Sequence, residues 1–409
     1  MSEPLPRQPE CNIGTAGHVD HGKTTLIQGL TGIWAARHSE ELRRGITIRL
    51  GYADCGFYRC PNHEPPECYT TKPVCPLCGE KTEFLRAVSF VDCPGHEILM
   101  TTMLSGASVM DGAILVIAAN EPVPMPQTRE HMAALEIIGV KNIVVVQNKV
   151  DLVSREKAEE NYRAIQKFLE GTIAQDAPII PISAQHAVNL DLLIEAVERF
   201  IPTPKRDPTK PPLMHIVRSF DINKPGTRIE NLMGGVIGGT IVEGKLRVGE
   251  EIEIRPGIRV GEGDYEPLYT EVVSLRAGGR SVEEAGCGGL VGVGTLLDPV
   301  FTKADGLIGN IAGKPGSLPE TLREIGVEVN LFKYAIGTPE LVEVEPLKTN
   351  EPIVVNSGTS VTAGIITSSR NGYIEVSLRK PICARRGSRV ALSRRIAGRW
   401  RLVGYGILK

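Results

Sequence analysis

Within the first two hundred residues, short apolar runs alternate with segments of helical periodicity. The clearest runs are residues 112–118 (GAILVIA) and 142–147 (NIVVVQ). Strands that are apolar throughout are typical of a parallel sheet covered by helices on both faces. Residues 97–110 and 127–138 carry the helical pattern. The alternation from residue 11 to residue 201 predicts an open, mostly parallel α/β sheet with right-handed crossovers.

The second half of the chain shows a different pattern. Short apolar stretches, such as residues 214–220 and 234–242, alternate with Gly and Pro, and no long amphipathic helix is evident. This pattern is typical of closed antiparallel β structure. Pro-rich breaks at residues 202–212 and 314–319 mark domain boundaries. The predicted domains are an α/β domain over residues 1–205, a β-barrel over residues 206–320 and a second β-barrel over residues 321–409.

Composition indicates the setting of the protein. The 409 residues carry a formal net charge of -2 and are 42% hydrophobic, as expected for a soluble protein of two or three domains. No apolar run approaches the roughly 20 residues that span a bilayer, and the polar N-terminus lacks the apolar segment of a signal peptide. We therefore expect a cytoplasmic protein without a membrane partner, whose cysteines are thiols or metal ligands.

A phosphate-binding motif lies near the N-terminus. Residues 17–24 (GHVDHGKT) fit the pattern G-x-x-x-x-G-K-[ST], whose glycines let backbone N–H groups wrap a phosphate where a helix begins. Lys23 would lie between the β- and γ-phosphates, and the Thr24 hydroxyl would bind Mg²⁺. The sequence thus predicts a nucleoside triphosphate site.

Two further segments could respond to the γ-phosphate. Asp92 ends an apolar strand and would hold Mg²⁺ directly or through water, while Gly95 permits close approach to the γ-phosphate. The His96 imidazole is suited to orienting the attacking water, which makes it the candidate catalytic residue. Thr47, in the charged segment 39–48, is a candidate second hydroxyl ligand of Mg²⁺, although an ordinary surface loop would look similar.

Residues 148–151 (NKVD) follow another apolar strand and could select the base. The Asp151 carboxylate can accept from guanine N1–H and the 2-amino group, whereas adenine offers neither donor there. A last strand ends at Ser183 and Ala184, whose backbone N–H groups could bond the guanine carbonyl. The predicted nucleotide is therefore GTP. The candidate nucleotide-binding residues are Asp20, His21, Gly22, Lys23, Thr24, Thr25, Gly95, Asn148, Lys149, Asp151, Ser183, Ala184 and Gln185.

A cysteine-rich insertion occupies about residues 52–86. Cys75 and Cys78 form a C-x-x-C turn of the kind that presents two thiolates to one tetrahedral Zn²⁺. The zinc would be structural, and the alternative is a set of unligated buried cysteines. The favoured ligands are Cys60, Cys68, Cys75 and Cys78, with His63 as the alternative to Cys68.

These segments together resemble a known family. The following are similar to motifs of the translational GTPases related to elongation factor Tu: residues 17–25 (GHVDHGKTT), 43–48 (RRGITI), 92–96 (DCPGH), 127–131 (QTREH) and 148–151 (NKVD). The cysteine insertion and residues 38–53, 218–227 and 393–406 resemble the gamma subunits of archaeal and eukaryotic translation initiation factor 2. The resemblance covers essentially the whole chain but departs at residues 60–63 (CPNH), where archaeal members usually carry a C-x-x-C pair.

The resemblance implies an α/β P-loop GTPase domain followed by two antiparallel β-barrels. It implies a GTPase that binds methionylated initiator tRNA, delivers it to the small ribosomal subunit and mRNA complex, and assembles with alpha and beta subunits. Val19 and Ile46 match a hydrophobic gate beside the catalytic histidine, here His96. Asp20 matches a position near a second magnesium. The implied cofactors are GTP or GDP, Mg²⁺ and structural Zn²⁺.

Positive charge is concentrated near the C-terminus. RNA phosphates are the natural partner of such a region, although a solvated barrel face would look similar. The basic residues, opposed within this interval only by Glu375, are Arg370, Arg379, Lys380, Arg385, Arg386, Arg389, Arg394, Arg395, Arg399 and Arg401.

Other functions are compatible with the same motifs. They are an elongation-type GTPase carrying selenocysteine tRNA, a GTPase accessory subunit of sulfate adenylyltransferase, and a nucleotide-locked scaffold. Hydrolysis by the isolated chain should be slow without partners, because no arginine can be assigned as an internal finger.

Overall fold

The computed structural model of the protein describes residues 4–34, 50–94, 100–261, 263–336 and 342–409. The chain divides into two compact units, Met1–Pro204 and Lys205–Lys409. Within the described ranges, no helix is long and apolar enough to cross a membrane.

The first unit is built on a seven-stranded sheet of order β3-β2-β4-β1-β5-β6-β7. Its strands are β1 (Cys11–Ala16), β2 (Gly51–Arg59), β3 (Tyr69–Thr70), β4 (Glu83–Asp92), β5 (Gly112–Ala118), β6 (Ile143–Asn148) and β7 (Ile179–Pro181). Its described helices are α1 (Lys23–Thr31), α2 (Met100–Ala107), α3 (Pro126–Ile138), α4 (Arg155–Leu169) and α5 (Leu190–Phe200). Strands β4, β1, β5, β6 and β7 are parallel, and β2 and β3 extend the sheet in antiparallel fashion.

The apolar strands are covered on both faces, as their composition predicts. Every residue of β1, β5 and β6 is buried. Helices α1 and α5 contribute to one core with the sheet, while α3 contacts β1 and β5. Because the strands are parallel, the carboxyl ends of β1, β4 and β6 open onto one edge of the sheet, where such folds bind ligands.

The second unit begins with a closed antiparallel barrel. The order is β11-β16-β8-β9-β15-β12-β13, and pairing of β11 with β12 closes it. The strands are β8 (Leu213–Phe220), β9 (Val236–Glu243), β11 (Glu251–Val260), β12 (Asp264–Ala277), β13 (Arg280–Val282), β15 (Val291–Thr295) and β16 (Ile311–Gly313). A separate two-stranded ribbon consists of β10 (Leu246–Arg247) and β14 (Glu284–Ala285), and a short helix, α6, spans Pro299–Thr302.

A second closed barrel follows, with the order β17-β20-β19-β18-β21-β22. The strands are β17 (Thr321–Ile336), β18 (Pro352–Ser357), β19 (Ser360–Arg370), β20 (Tyr373–Cys383), β21 (Arg389–Ile396) and β22 (Arg399–Leu408). Strand β19 alternates buried and exposed residues along most of its length, as expected when only one face lines the core. The predicted fold class, an α/β domain followed by two antiparallel barrels, is confirmed.

Part of the C-terminal basic run joins the two barrels. The Arg385 guanidinium donates to both carboxylate oxygens of Glu243, at 2.9 and 2.8 Å. The Lys380 ammonium donates to the carbonyl of Ile308 at 3.2 Å. Arg394 pairs with Glu351 inside the second barrel. These three side chains thus have structural roles, while Arg370, Arg379, Arg386 and Arg395 are exposed.

A largely buried histidine, His215, lies where the barrels meet. A Cβ at Gly358 of the second barrel would lie 3.1 Å from its Cε1 atom. Burial, and then the Arg385 charge, lowers the pKa of His215 to about 4. An unfolded histidine titrates near 6.5. The unfolded chain therefore binds more protons between these values, and folding stability falls as the pH falls through this window.

Replacing His215 should weaken this pH dependence. With His215→Gln, we expect the decrease in unfolding free energy between pH 6.5 and 4.5 to be smaller by up to about 1.4 kcal/mol per pH unit. Urea unfolding can be followed by Trp400 fluorescence in a Trp34→Phe background. The exposed His186, changed to Gln, is the control. An unaltered pH slope in His215→Gln would contradict the assignment.

Candidate nucleotide site and metal centre

The phosphate loop connects β1 to α1. Gly22 precedes the helix with a left-handed φ of 91°, and a Cβ there would lie 2.3 Å from Asn148 Nδ2, so that glycine is required. The Lys23 ammonium donates to the carbonyls of Gly17, at 3.0 Å, and His18, at 2.6 Å. The lysine is thus held at the loop where the motif predicts phosphate.

The electrostatics of Lys23 fit an anionic ligand. Its side chain is buried, and this burial lowers the pKa of Lys23 to about 8, an effect opposed chiefly by the Asp92 carboxylate. A neighbouring phosphate would favour the charged ammonium by the same Coulombic effect. The loop therefore suits a nucleotide phosphate.

Thr24 and Asp92 meet at the predicted magnesium position. The Thr24 hydroxyl donates to Asp92 Oδ2 at 2.6 Å. Thr15 donates to the other carboxylate oxygen at 3.0 Å, which fixes the carboxylate. Hydroxyl and carboxylate oxygens are the ligands that Mg²⁺ prefers. Thr24 and Asp92 therefore fit a magnesium ion, with Asp92 acting directly or through water.

Asp151 is accessible beyond the end of β6. Its side chain is 28% exposed, and His186 Nε2 lies 3.7 Å from its Oδ2 atom. The neighbouring Ser183 side chain is the main cause that lowers the pKa of Asp151, so the carboxylate is ionised at neutral pH. It can act as the double acceptor that guanine requires.

Asn148 ties three loops together. Its Nδ2 donates to the carbonyl of His21 in the phosphate loop at 2.9 Å. Its Oδ1 accepts from the N–H of Ala184 at 3.0 Å. The side chain thus uses both ends of its amide to hold the loop at Ser183 and Ala184, here called the base loop, against the phosphate loop.

Ser183 and Ala184 use their N–H groups within the protein in this structure, and their role toward the base stays a prediction. Their N–H groups were predicted to bond the guanine carbonyl, but Ala184 donates to Asn148, and Ser183 donates to the carbonyl of Val188 at 3.3 Å. Both donors therefore have partners within the protein. The neighbouring Gln185 is exposed.

Some predicted site residues lie outside the described ranges. They are Ile46, Thr47, Gly95 and His96, whose roles stay predictions. Among the described residues of the loop, Val19 and Thr25 are half-buried, while Asp20 is exposed and has a φ of 60°.

Sequence reasoning missed two buried histidine contacts. His131 Nδ1 accepts from the Gly17 N–H at 2.8 Å. The His21 imidazole contacts the Val116 carbonyl through Nδ1 at 3.1 Å and a Glu121 oxygen through Nε2 at 3.3 Å, while the role of His21 in nucleotide binding stays a prediction. In the sequence, His131 is the last residue of the QTREH motif, but the motif alone gave no reason to assign a chemical role to this histidine.

The insertion brings a metal-binding group together. The ligand atoms of Cys60, His63, Cys75 and Cys78 all lie within 4.8 Å of one another. Three thiols and one imidazole suit a closed tetrahedral zinc site. Although burial opposes it, hydrogen bonds from the Cys78 and Leu77 N–H groups and with neighbouring thiols lower the pKa of Cys75 to about 7, which favours the thiolate that a metal needs.

The prediction of Cys68 as the fourth zinc ligand is wrong. It is buried outside the four-residue group. The Cys60 N–H donates to the Cys68 carbonyl at 2.8 Å, so the two residues meet through their backbones. His63 completes the group of ligand atoms in its place, as the C-x-x-H spacing allowed.

Comparison with known proteins first defines a class. The family model "Elongation factor Tu GTP binding domain" matches residues 8–203. The crystal structure of a bacterial selenocysteine-specific elongation factor, EF-Sec, superimposes with a TM-score of 0.74 at 25% identity, covering 98% of this chain. This chain spans only 58% of the length of that structure. SelB of Methanococcus maripaludis, solved with the GTP analogue GPPNHP, gives a TM-score of 0.72 at 23% identity, covering 99% of this chain and 80% of that one. Fold and site together define a translational GTPase.

The particular family follows from closer relatives. "Initiation factor eIF2 gamma, C terminal" matches residues 323–408. Translation initiation factor 2 subunit gamma of Pyrococcus abyssi is 61% identical over 406 residues, covering 98% of each chain. That of Archaeoglobus fulgidus is 59% identical over 401 residues, covering 98% of this chain and 95% of the relative. The chain belongs to the family of translation initiation factor 2 gamma subunits, which confirms the resemblance. It is a translation initiation GTPase that uses GTP or GDP and Mg²⁺.

Proposed function

We propose that this chain binds methionylated initiator tRNA in its GTP form and delivers it to the small ribosomal subunit and mRNA complex. It acts within a heterotrimer with alpha and beta subunits, and hydrolysis releases the tRNA. The observation that carries the proposal is the 61% identity to an initiation factor gamma subunit over 98% of both chains. The cytoplasm is the compartment in which this function would be exercised.

The described loops can support the nucleotide part of this cycle. Lys23 binds phosphate, and Asp151 accepts from the guanine edge, with Lys149 packing its stem along the base. Thr24 and Asp92 would hold Mg²⁺, with Thr47, outside the described residues, as the predicted further ligand. The ion would supply charge neutralisation at the phosphates. Asp20 would help to hold a second magnesium.

The remaining roles concern hydrolysis. His96 orients the attacking water, and Val19 and Ile46 form the hydrophobic gate that controls its approach. Thr47 and Gly95 would respond to the γ-phosphate, so that the GTP and GDP forms differ at these residues. Turnover by the isolated chain should be slow, on the order of 10⁻⁴ to 10⁻² per second, because no internal arginine finger is assigned. Single-turnover hydrolysis measures this, and a fast rate without partners would refute external triggering.

The exposed arginines of the second barrel are the candidate RNA contacts. Arg370, Arg379 and Arg386 are exposed, as is Arg395, whose Nε donates only to the nearby Gly398 carbonyl at 3.4 Å. Lys380, Arg385 and Arg394 bond to more distant parts of the barrels. An electrostatic RNA contact of this kind should weaken steeply with salt.

The zinc group of Cys60, His63, Cys75 and Cys78 has a structural role in the insertion.

Filter binding tests the tRNA proposal. Initiator and elongator methionyl-tRNA are compared at fixed salt, each with GTP and with GDP. We expect tight binding only for the initiator with GTP, and selenocysteyl-tRNA serves as the control for the rival carrier function. Equal binding of initiator and elongator tRNA would refute the proposal, as would a preference for selenocysteyl-tRNA.

A further inference from the structure

One buried side chain behind the phosphate loop has no role in the cycle described above. His131 lies on α3, is only 1% exposed, and accepts the Gly17 N–H on Nδ1 at 2.8 Å. The residues are 114 positions apart in the chain. The contact therefore joins α3 to the first residue of the phosphate loop.

Gly17 is held from both sides. Its N–H is bound by His131, and its carbonyl accepts from the Lys23 ammonium at 3.0 Å. These two bonds fix the peptide groups on either side of the Gly17 Cα. The φ of Gly17 is 134°, and a Cβ would lie 2.2 Å from the Val116 carbonyl oxygen, so the backbone has little other room.

We propose that His131 is a positioning residue for nucleotide binding: its Nδ1 lone pair sets the Gly17 peptide, which in turn sets the carbonyl that orients the Lys23 ammonium. The role of His131 rests on nucleotide binding alone and is independent of tRNA delivery.

The chemistry of the imidazole suits this role. An acceptor at Nδ1 requires that nitrogen to be unprotonated. Burial, followed by the charge of Lys23 and the neighbouring His18 and His21, lowers the pKa of His131 to about 3. The ring is thus a neutral acceptor over the physiological range, with its proton on Nε2.

Losing the acceptor should affect binding as well as packing. A buried N–H without a partner is unfavourable, so the loop of the nucleotide-free variant would rearrange to pair it. Nucleotide binding must then restore the bound conformation, and the apparent affinity equals the intrinsic affinity multiplied by the fraction of molecules that already hold that conformation.

Two substitutions separate the acceptor from the packing. In His131→Asn, the amide oxygen is bonded to Cγ and can take the place of Nδ1. In His131→Leu, the apolar volume is largely kept and the acceptor is lost. Leu135→Ala, at a buried site on the same helix, controls for loss of packing without loss of the acceptor.

The probe is GDP with Mg²⁺, measured by calorimetry and by the dissociation rate of a fluorescent GDP. We expect His131→Leu to weaken binding on the order of tenfold or more, whereas His131→Asn and Leu135→Ala stay within roughly threefold of the original protein. Equal GDP affinity in the Leu variant and the original protein would overturn the proposal. So would an Asn variant as weak as the Leu variant.

A measurement on the unaltered protein covers the case in which the Leu variant fails to fold. Nitrogen-15 NMR should show an unprotonated Nδ1 in His131 and a scalar coupling across the hydrogen bond to the Gly17 amide nitrogen. A protonated Nδ1, or no coupling, would overturn the proposal independently of any variant.

Discussion

Asp151→Asn is expected to lower GTP affinity by a factor on the order of 10² to 10⁴ and to shift the preference toward xanthosine triphosphate. The carboxylate offers acceptors to both guanine N1–H and the 2-amino group. An asparagine amide keeps one acceptor but sets its own N–H donor against a guanine donor. In xanthine a carbonyl replaces the amino group, so the same amide can pair with both positions.

Competition binding measures this change. Guanine, xanthine and adenine nucleotides are compared on Asp151→Asn and on Asp176→Asn, which alters an exposed carboxylate in the same unit. The control should keep the original order of affinities. Retention of guanine preference by Asp151→Asn would show that another residue selects the base.

The second large effect that we expect is the loss of zinc when His63 is replaced. Structural zinc sites bind with apparent free energies of about 10–16 kcal/mol, so the purified protein should contain about one zinc per chain. His63→Ala should lower zinc affinity by more than the 10–100-fold that changes to outer-shell partners cost. Cys68→Ala should keep the metal, because its thiol lies outside the ligand group.

Metal analysis after dialysis against a graded chelator distinguishes the two variants. Limited proteolysis of the insertion provides an independent readout, since loss of the metal should expose the loop between β2 and β4 to cleavage. Zinc retained by His63→Ala and lost by Cys68→Ala would instead support the all-sulfur ligand set that includes Cys68. Retention by both would point to a three-cysteine site closed by another ligand.

The two carboxylates of the nucleotide site were accessible to sequence reasoning because each lies at or shortly after the end of a strand of strong apolar character. Asp92 ends β4, and Asp151 follows β6 by three residues. In a parallel sheet those ends share one edge, so their convergence follows from periodicity alone. The same reasoning supplied the two barrels from the spacing of apolar stretches between glycines and prolines.

Contacts set by loop paths could not be predicted in this way. The choice between Cys68 and His63 as the fourth zinc ligand depends on how the insertion folds back on itself, since both spacings are chemically acceptable. In the structure the His63 imidazole lies with the three thiols, while Cys68 lies outside that group and bonds Cys60 through the backbone, and no local pattern reports this arrangement. Likewise, the Arg385–Glu243 pair spans 142 positions, so a basic residue that reads as an RNA contact in sequence holds two barrels together.

The two hydrogen bonds of the Asn148 side chain couple binding of the guanine base to binding of the phosphates. Because one amide holds both the phosphate loop and the base loop, ordering either loop preorganises the other. A guanosine fragment and a pyrophosphate fragment should therefore enhance each other's binding. The binding free energy of the intact nucleotide therefore should not equal the sum of separate contributions from the base and the phosphates, because the two loops act as one cooperative unit.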